Sequence, residues 1–171
     1  MTARLGVFLA GALWSVGSSF ASPGATAGAM PPRASLCAKD EATVFGCAVG
    51  SKVASLCAAN SADTLRYIFG GSGHADLSLT NAPRGRMTYG TLSYSSGGGD
   101  YVRVKSGRYS YVVYSAIGQG WEQEGLVVEK DGRRVSAKLC NGHRAALGSQ
   151  GWGRVYAAHL PKDTQGFDKP D

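Results

Sequence analysis

Between Ala42 and Cys140 the chain alternates apolar and polar residues in short runs broken by glycine-bearing turns. Val135, Ala137 and Leu139 fall on one side of such a run, and Arg134, Ser136 and Lys138 on the other. Val102 and Val104 face away from Arg103 and Lys105. Leu65, Tyr67 and Phe69 share a side, as do Leu77 and Leu79. A period of two is the signature of a strand. The runs predict strands over Ala42–Val49, Lys52–Ala58, Thr64–Phe69, Ala75–Thr80, Arg86–Ser95, Tyr101–Lys105, Arg108–Ala116, Gly125–Glu129 and Arg134–Cys140. The turns between them include Gly50-Ser51, Gly70-Gly71-Ser72-Gly73, Gly97-Gly98-Gly99-Asp100, Ser106-Gly107 and Asp131-Gly132, the last a strong hairpin signal. No stretch in this region carries a helical period of ten residues or more. Regular short strands with tight connections predict an all-β domain over residues 36–160, a single antiparallel barrel or sandwich of about eight strands in meander order. After Cys140, the residues Ala145, Ala146, Leu147, Trp152, Val155, Tyr156 and Leu160 predict a short helix or a wrapped loop, anchored by Trp152 or Tyr156. The polar residues 161–171 predict a flexible tail. There is no internal repeat and no second domain.

What precedes the domain changes where the chain is expected to work. Residues 1–21 read as a signal peptide: Arg4, then an apolar stretch from Leu5 to Gly17, then Ser19-Phe20-Ala21 as a cleavage pattern. Cleavage after Ala27 is the alternative. The apolar stretch is too short for a membrane span, and residues 22–35 predict a flexible stub. A periplasmic or secreted location follows. Cys37, Cys47, Cys57 and Cys140 are an even set in an exported chain and predict two disulfides. Their spacing lacks the close ligand pairs that zinc sites favour, so no metal is expected. A two-residue turn at Gly50-Ser51 would set Cys47 opposite Ala54 and Cys57 opposite Val44, on the other face, which argues against a Cys47–Cys57 bridge. Of the two remaining connectivities, Cys37–Cys57 with Cys47–Cys140 is preferred.

Composition narrows the rest. Of 171 residues, 25 are Gly and 6 Pro, about 18% together, below the roughly 25–30% of low-complexity chains. The formal charge is +6 and falls to +5 once the leader removes Arg4, its one charged residue. Arg84, Arg86, Arg103, Lys105 and Arg108 lie close in sequence and would suit an anionic glycan or an acidic envelope protein; nucleic acid fits the compartment poorly. The histidines His74, His143 and His159 form no zinc-protease pattern, and there is no nucleophile elbow, phosphate loop or dinucleotide fingerprint. No cofactor is implied. Glu122 and Glu124 beside Trp121 are the one acid pair that would serve a glycosidase. Tyr89, Tyr94, Tyr101, Tyr109, Tyr111, Tyr114 and Trp121 form the densest aromatic region, a composition that suits both binding surfaces and ordinary sheet walls.

The stretches "LCAKDEATVFGCAVGSKVASLCA" (36–58) and "YSYVVYSAIGQGWEQEGLVVEKDGRRVSAKLC" (109–140) resemble a family of small exported proteobacterial proteins of unassigned function. That family carries an aromatic-valine-valine-tyrosine strand, a Gly-x-Gly-Trp-Glu segment and a closing hairpin ending in Leu-x-Cys. The resemblance runs from Leu36 to the "GFD" at 166–168 and implies no activity. A second resemblance is to the periplasmic lysozyme inhibitors, small exported antiparallel barrels whose Ser-Gly-x-x-Tyr loop enters the lysozyme cleft. Ser106-Gly107-Arg108-Tyr109 comes close, with tyrosine at the fourth and sixth places and Ser110 at the fifth. The basic charge departs from what a basic lysozyme would favour.

The function expected from these residues is an exported, non-enzymatic binding protein of the cell envelope. A lysozyme-inhibitor-like protein and an envelope glycan hydrolase are the alternatives. The partner-binding residues expected are Ser106, Gly107, Arg108, Tyr109, Tyr111, Trp121 and Glu122. The Ser106 turn and the Gly118–Glu122 loop sit at opposite ends of one strand, about 26 Å apart at 3.3 Å per residue. One compact pocket cannot hold both.

Overall fold

The computed structural model describes residues 35–141, apart from 62 and 72, and residues 149–170. The segment read as a leader, the stub except Ser35, and His143 lie outside the described residues.

The described residues form two antiparallel sheets, each a meander. The first holds β1 (Ala42–Val49), β2 (Lys52–Ala58), β3 (Leu65–Gly71) and β4 (His74–Thr80); the second holds β5 (Met87–Tyr94), β6 (Gly97–Ser106), β7 (Tyr109–Gly118), β8 (Trp121–Lys130) and β9 (Arg133–Leu139). This is a sandwich and not a closed barrel. The sheets are joined by residues 81–86, which include a cis Ala82–Pro83 bond. One short helix, α1 (Ser149–Ala157), packs against β1. Among the described residues no helix is long and apolar enough to cross a membrane.

The alternation read along the chain sets the core. Phe45 and Cys47 (β1), Ala54 and Leu56 (β2), Leu65 and Tyr67 (β3) meet Met87, Val102, Val104, Val113 and Leu126 from the second sheet. Fully burying a side chain of this size contributes roughly 1.5–3 kcal/mol. The seam beside β1 is filled by Val155, Ala158 and Leu160. Val155, not Tyr156, therefore anchors the helical segment. Tyr156 stays 53% exposed and meets Tyr89 edge-on at 5.8 Å; the Trp152 side chain is outside the described residues. The register of β1 and β2 puts Cys47 opposite Ala54, as expected. A bulge at Val44 shifts Cys57 onto Thr43, and Gly151 of α1 fits against the bulged carbonyl of Val44, where a Cβ would be crowded.

Both disulfides form in the preferred pairing, Cys37–Cys57 and Cys47–Cys140, across 20 and 93 residues. By loop entropy these are worth about 3 and about 4.6 kcal/mol. The second one joins the two sheets, and the Asn141 amide donates to the Ala48 carbonyl beside it.

Three departures from the alternation have physical causes. Gly97, Gly98 and Gly99 do not form a turn; they open β6, and the turn is Ser95-Ser96. A Cβ on Gly97 or Gly99 would collide with the β7 backbone, so glycine here permits close strand approach. The supposed Gly118–Glu122 loop shrinks to Gln119-Gly120, with Trp121 as the first residue of β8. Residues 161–170 do not form a loose tail. They run beside β5, where the Tyr89 amide donates to the Pro161 carbonyl and the Asp163 amide donates to the Tyr89 carbonyl, and then cross the outer face of the second sheet.

That outer face is a second core. Leu92, Tyr101, Val112, Tyr114, Ala116 and Val127 are buried there, with Tyr94, Trp121 and Phe167 packed on them. Glycines alternate with aromatics across the strands: Gly90 opposes Tyr101, Tyr101 opposes Tyr114, and Tyr114 opposes Gly125. A Cβ on either glycine would strike the neighbouring tyrosine ring. The two rings spread over the glycines, and Phe167 packs on both at 5.1 and 5.4 Å. Beside them the fully buried Arg103 donates to Asp163 at 3.0 Å, to the Gly166 carbonyl at 2.6 Å, and to Glu129. Thr88 and the Tyr101 hydroxyl complete the shell of Asp163. The sequence groups Arg103 in a basic cluster open to an anionic partner; it is instead neutralised inside the protein.

Candidate functional site

The strand pairing settles how the expected binding residues are placed. In β7, Tyr109 pairs with Ser106 and Gly118 pairs with Trp121. The two hairpin ends are thus separated by the full strand, about 30 Å at 3.3 Å per residue. They form two surfaces.

At the first end Gly107-Arg108 is the whole turn, and Gly107 adopts a left-handed φ of 59°. The Arg108 guanidinium reaches the neighbouring β8–β9 turn and binds both carboxylate oxygens of Asp131, its Nε at 2.9 Å from Oδ1. The Asp131 amide donates back to the Arg108 carbonyl at 2.9 Å. Asp131 and Gly132 both have positive φ, 52° and 77°, the backbone of a tight hairpin turn. The two turns therefore brace one another. Tyr109 lies opposite Lys130 and is 39% exposed, with the Lys130 ammonium 5.5 Å from its ring centre. Arg133 pairs with Lys130 and stands exposed on the same face, Lys105 pairs with Ser110 and is exposed on the opposite face, and none of the three makes an ion pair among the described residues. The carboxylate of the turn itself, Asp131, is taken by Arg108. Tyr111, two residues along, turns inward and stacks on the buried Tyr67 at 5.6 Å. It belongs to the core between the sheets.

At the second end Trp121 is packed. Its ring lies over Gly118, where a Cβ would collide with it, and meets Tyr94 at 5.9 Å. The Lys169 ammonium covers it at 4.9 Å. Glu122, on the other face of β8, is exposed, whereas Glu124 is buried and accepts a hydrogen bond from the Ser115 hydroxyl at 3.2 Å. A glycosidase needs its two carboxyls on either side of one cleft; these two lie along one strand, and neither lines the cleft between the sheets.

The basic cluster read from the sequence is dispersed. Arg103 is buried, Arg108 is tied to Asp131, and Arg84 lies in the link between the sheets. Missed in the sequence were Lys130 and Arg133, which the hairpin register carries to the Tyr109 end. The Asp131-Gly132 turn was the signal for Arg133, which it pairs with Lys130; the pairing of Lys130 with Tyr109 is set at the other end of the strands, by the Gln119-Gly120 turn.

Elsewhere, Cys37, Glu41 and Cys57 bring potential ligand atoms within 4.8 Å. Both sulfurs are spent in the disulfide, and Glu41 is held by Arg66 at 2.8 Å. That guanidinium keeps the Glu41 carboxyl below its ordinary range. His74 sits 3.1 Å from Asp76, which also binds Lys52 at 2.8 Å, and His159 takes a left-handed φ of 48° just past α1.

Comparison of the chain with family models, curated proteins and solved structures gives no match.

Proposed function

We propose that this protein is an exported, non-enzymatic binding module of the cell envelope that recognises an anionic glycan at the paired hairpin turns of β6–β7 and β8–β9. The observation that carries this reading is the exposed Tyr109 ring beside Lys130 and Arg133 on one face of the sheet end, with the Asp131 carboxylate of the adjoining turn already bound by Arg108. An aromatic face supplies a platform for a sugar ring at small entropy cost. Unpaired cations beside it supply charge and donors for acidic groups. The brace between Arg108 and Asp131 holds the platform in place before binding, which reduces the ordering cost. Two disulfides suit an oxidising compartment outside the cytoplasm.

The test is affinity electrophoresis or calorimetry with an acidic polysaccharide (alginate) and a neutral one (dextran). Alginate should be bound and dextran not, with binding weakened by salt. Tyr109→Ala and Lys130→Ala should each reduce affinity about tenfold or more, about 1.4 kcal/mol, at unchanged melting temperature. Equal binding of both polysaccharides, or none, refutes the reading.

A second reading, lysozyme inhibition, is favoured by the rigidity of the Ser106-Gly107-Arg108-Tyr109 turn, which projects from the sheet end as a braced two-residue hairpin. Its assay is lysis of cell walls by lysozyme with and without the protein. Undiminished lysis at molar excess removes it.

A further inference from the structure

The strand β9 is built inside out. Its apolar residues Val135 and Leu139 are 57% and 54% exposed. Ser136 and Lys138 pair with Val128 and Leu126 in register, and so share their inward-facing side. In a two-sheet sandwich the inward positions of a strand are ordinarily apolar. Here they are a hydroxyl and an ammonium, and behind them lies a cleft of about 570 Å³ between the sheets. Its interior is formed by Val49, Phe69, Leu126 and Val128, drawn from three strands of the sandwich besides β9. Among the described residues Lys138 is the only charged one on its lining, and it makes no ion pair with any of them. The Cys47–Cys140 bridge and the Asn141–Ala48 hydrogen bond fasten the two sheets at one margin of the cleft.

We propose that this cleft binds an anionic single-chain amphiphile, its alkyl chain between Phe69, Leu126 and Val128 and its acidic head on Lys138. The volume falls within the roughly 300–1,000 Å³ of small-ligand sites, and an apolar interior with few polar groups at the mouth is their usual composition. The charge on the lining decides the head group: one cation and no carboxylate accommodate an acid and reject an amine. The polar inward side of β9, an edge strand, is then the mouth of a site, and a strand that breaks the expected pattern has a reason for doing so. The site shares no residue with the Tyr109 surface and stands whether or not that surface binds a glycan.

Calorimetry on the disulfide-bonded protein tests this with dodecanoate below its micellar concentration, with octanoate and acetate as shorter acids and dodecyltrimethylammonium as the cation of equal chain length. Saturable one-to-one binding of dodecanoate is expected, weaker for octanoate and undetectable for acetate and for the cation. Lys138→Glu, at an exposed position, should weaken dodecanoate at least tenfold. Ser136→Trp, which fills the mouth, should abolish binding. Both variants should keep the wild-type circular dichroism and melting temperature; a Ser136→Trp protein that fails to fold leaves Lys138→Glu and the chain-length series to decide. No saturable binding, equal affinity for the acid and the cation, or a Lys138→Glu variant that binds as the wild type does would overturn the proposal.

Discussion

The outer faces of the two sheets pose the same problem and are covered in different ways. On the first sheet the covering strand of chain is residues 35–41. Ser35 bonds Thr43, the Leu36 amide donates to Ser55, Glu41 holds Arg66, and Cys37 is joined covalently to Cys57. On the second sheet residues 161–170 do the same task without a covalent bond, through Asp163 on Arg103, Phe167 on two tyrosines, and Lys169 over Trp121. The first cover acts mainly by restricting the unfolded chain. The second depends on a buried charge network, which is stabilising only while every member is present. One face is therefore vulnerable to reductant and the other to single substitutions.

The largest effect should come from breaking that network. Arg103→Met leaves Asp163 and Glu129 buried with no counter-ion and should cost about 3–5 kcal/mol, measured by urea unfolding. Adding Asp163→Asn to Arg103→Met should recover part of the loss. A cost below about 1 kcal/mol would mean that the aromatic packing alone holds the cover in place.

Next in size is the covalent cover. Replacing Cys37 and Cys57 together by Ala should lower stability by about 3 kcal/mol while leaving the amide exchange pattern of β6 and β7 in its wild-type order. Preferential loss of protection in β6 and β7 would show that the two faces are coupled.

The smallest effect is alkaline. Burial pushes the Tyr114 hydroxyl up to about 12, and burial with the Asp163 hydrogen bond pushes Tyr101 up to about 12. Both ionise near 10 when unfolded. The folded state thus holds protons that the unfolded state has released, so stability is full below pH 10 and declines as pH rises toward 12. Tyr114→Phe removes one of these groups, and its hydroxyl has no hydrogen-bond partner among the described residues. The variant should match the wild type at pH 8 and lose less stability between pH 10 and 12 in melting experiments. An unchanged slope would place the alkaline lability elsewhere.

Period-two alternation revealed the strands, and the Gly50-Ser51 and Asp131-Gly132 turns revealed their register, because both signals are local. Facing directions in one hairpin argue against a Cys47–Cys57 bridge, and of the two connectivities left the preferred one, Cys37–Cys57 with Cys47–Cys140, is the one that forms. What could not be read locally was the second core. Gly97-Gly98-Gly99 reads as a turn unless the β7 backbone is known to press against it. Arg103 reads as a surface cation unless Asp163, sixty residues away, is known to return. The polar composition of 161–170 conceals one aromatic, Phe167, whose slot is made by glycines on other strands. At the Tyr109 end the turn was legible, but its companions Lys130 and Arg133 come from a different hairpin. The cleft at β9 was hidden by an alternation that is regular and yet points the opposite way.

The pairing of Tyr89 with residues 161–163 reaches beyond the packing it was described for. A polypeptide ending before Asp163 would carry an open β5 edge, a template for pairing with other chains, and a buried guanidinium with half of its counter-charge missing. A clipped or prematurely terminated copy would therefore be both less stable and more prone to aggregate. The segment acts as a proofreader of completeness: it distinguishes a whole domain from a nearly whole one by a margin that a quality-control protease can read.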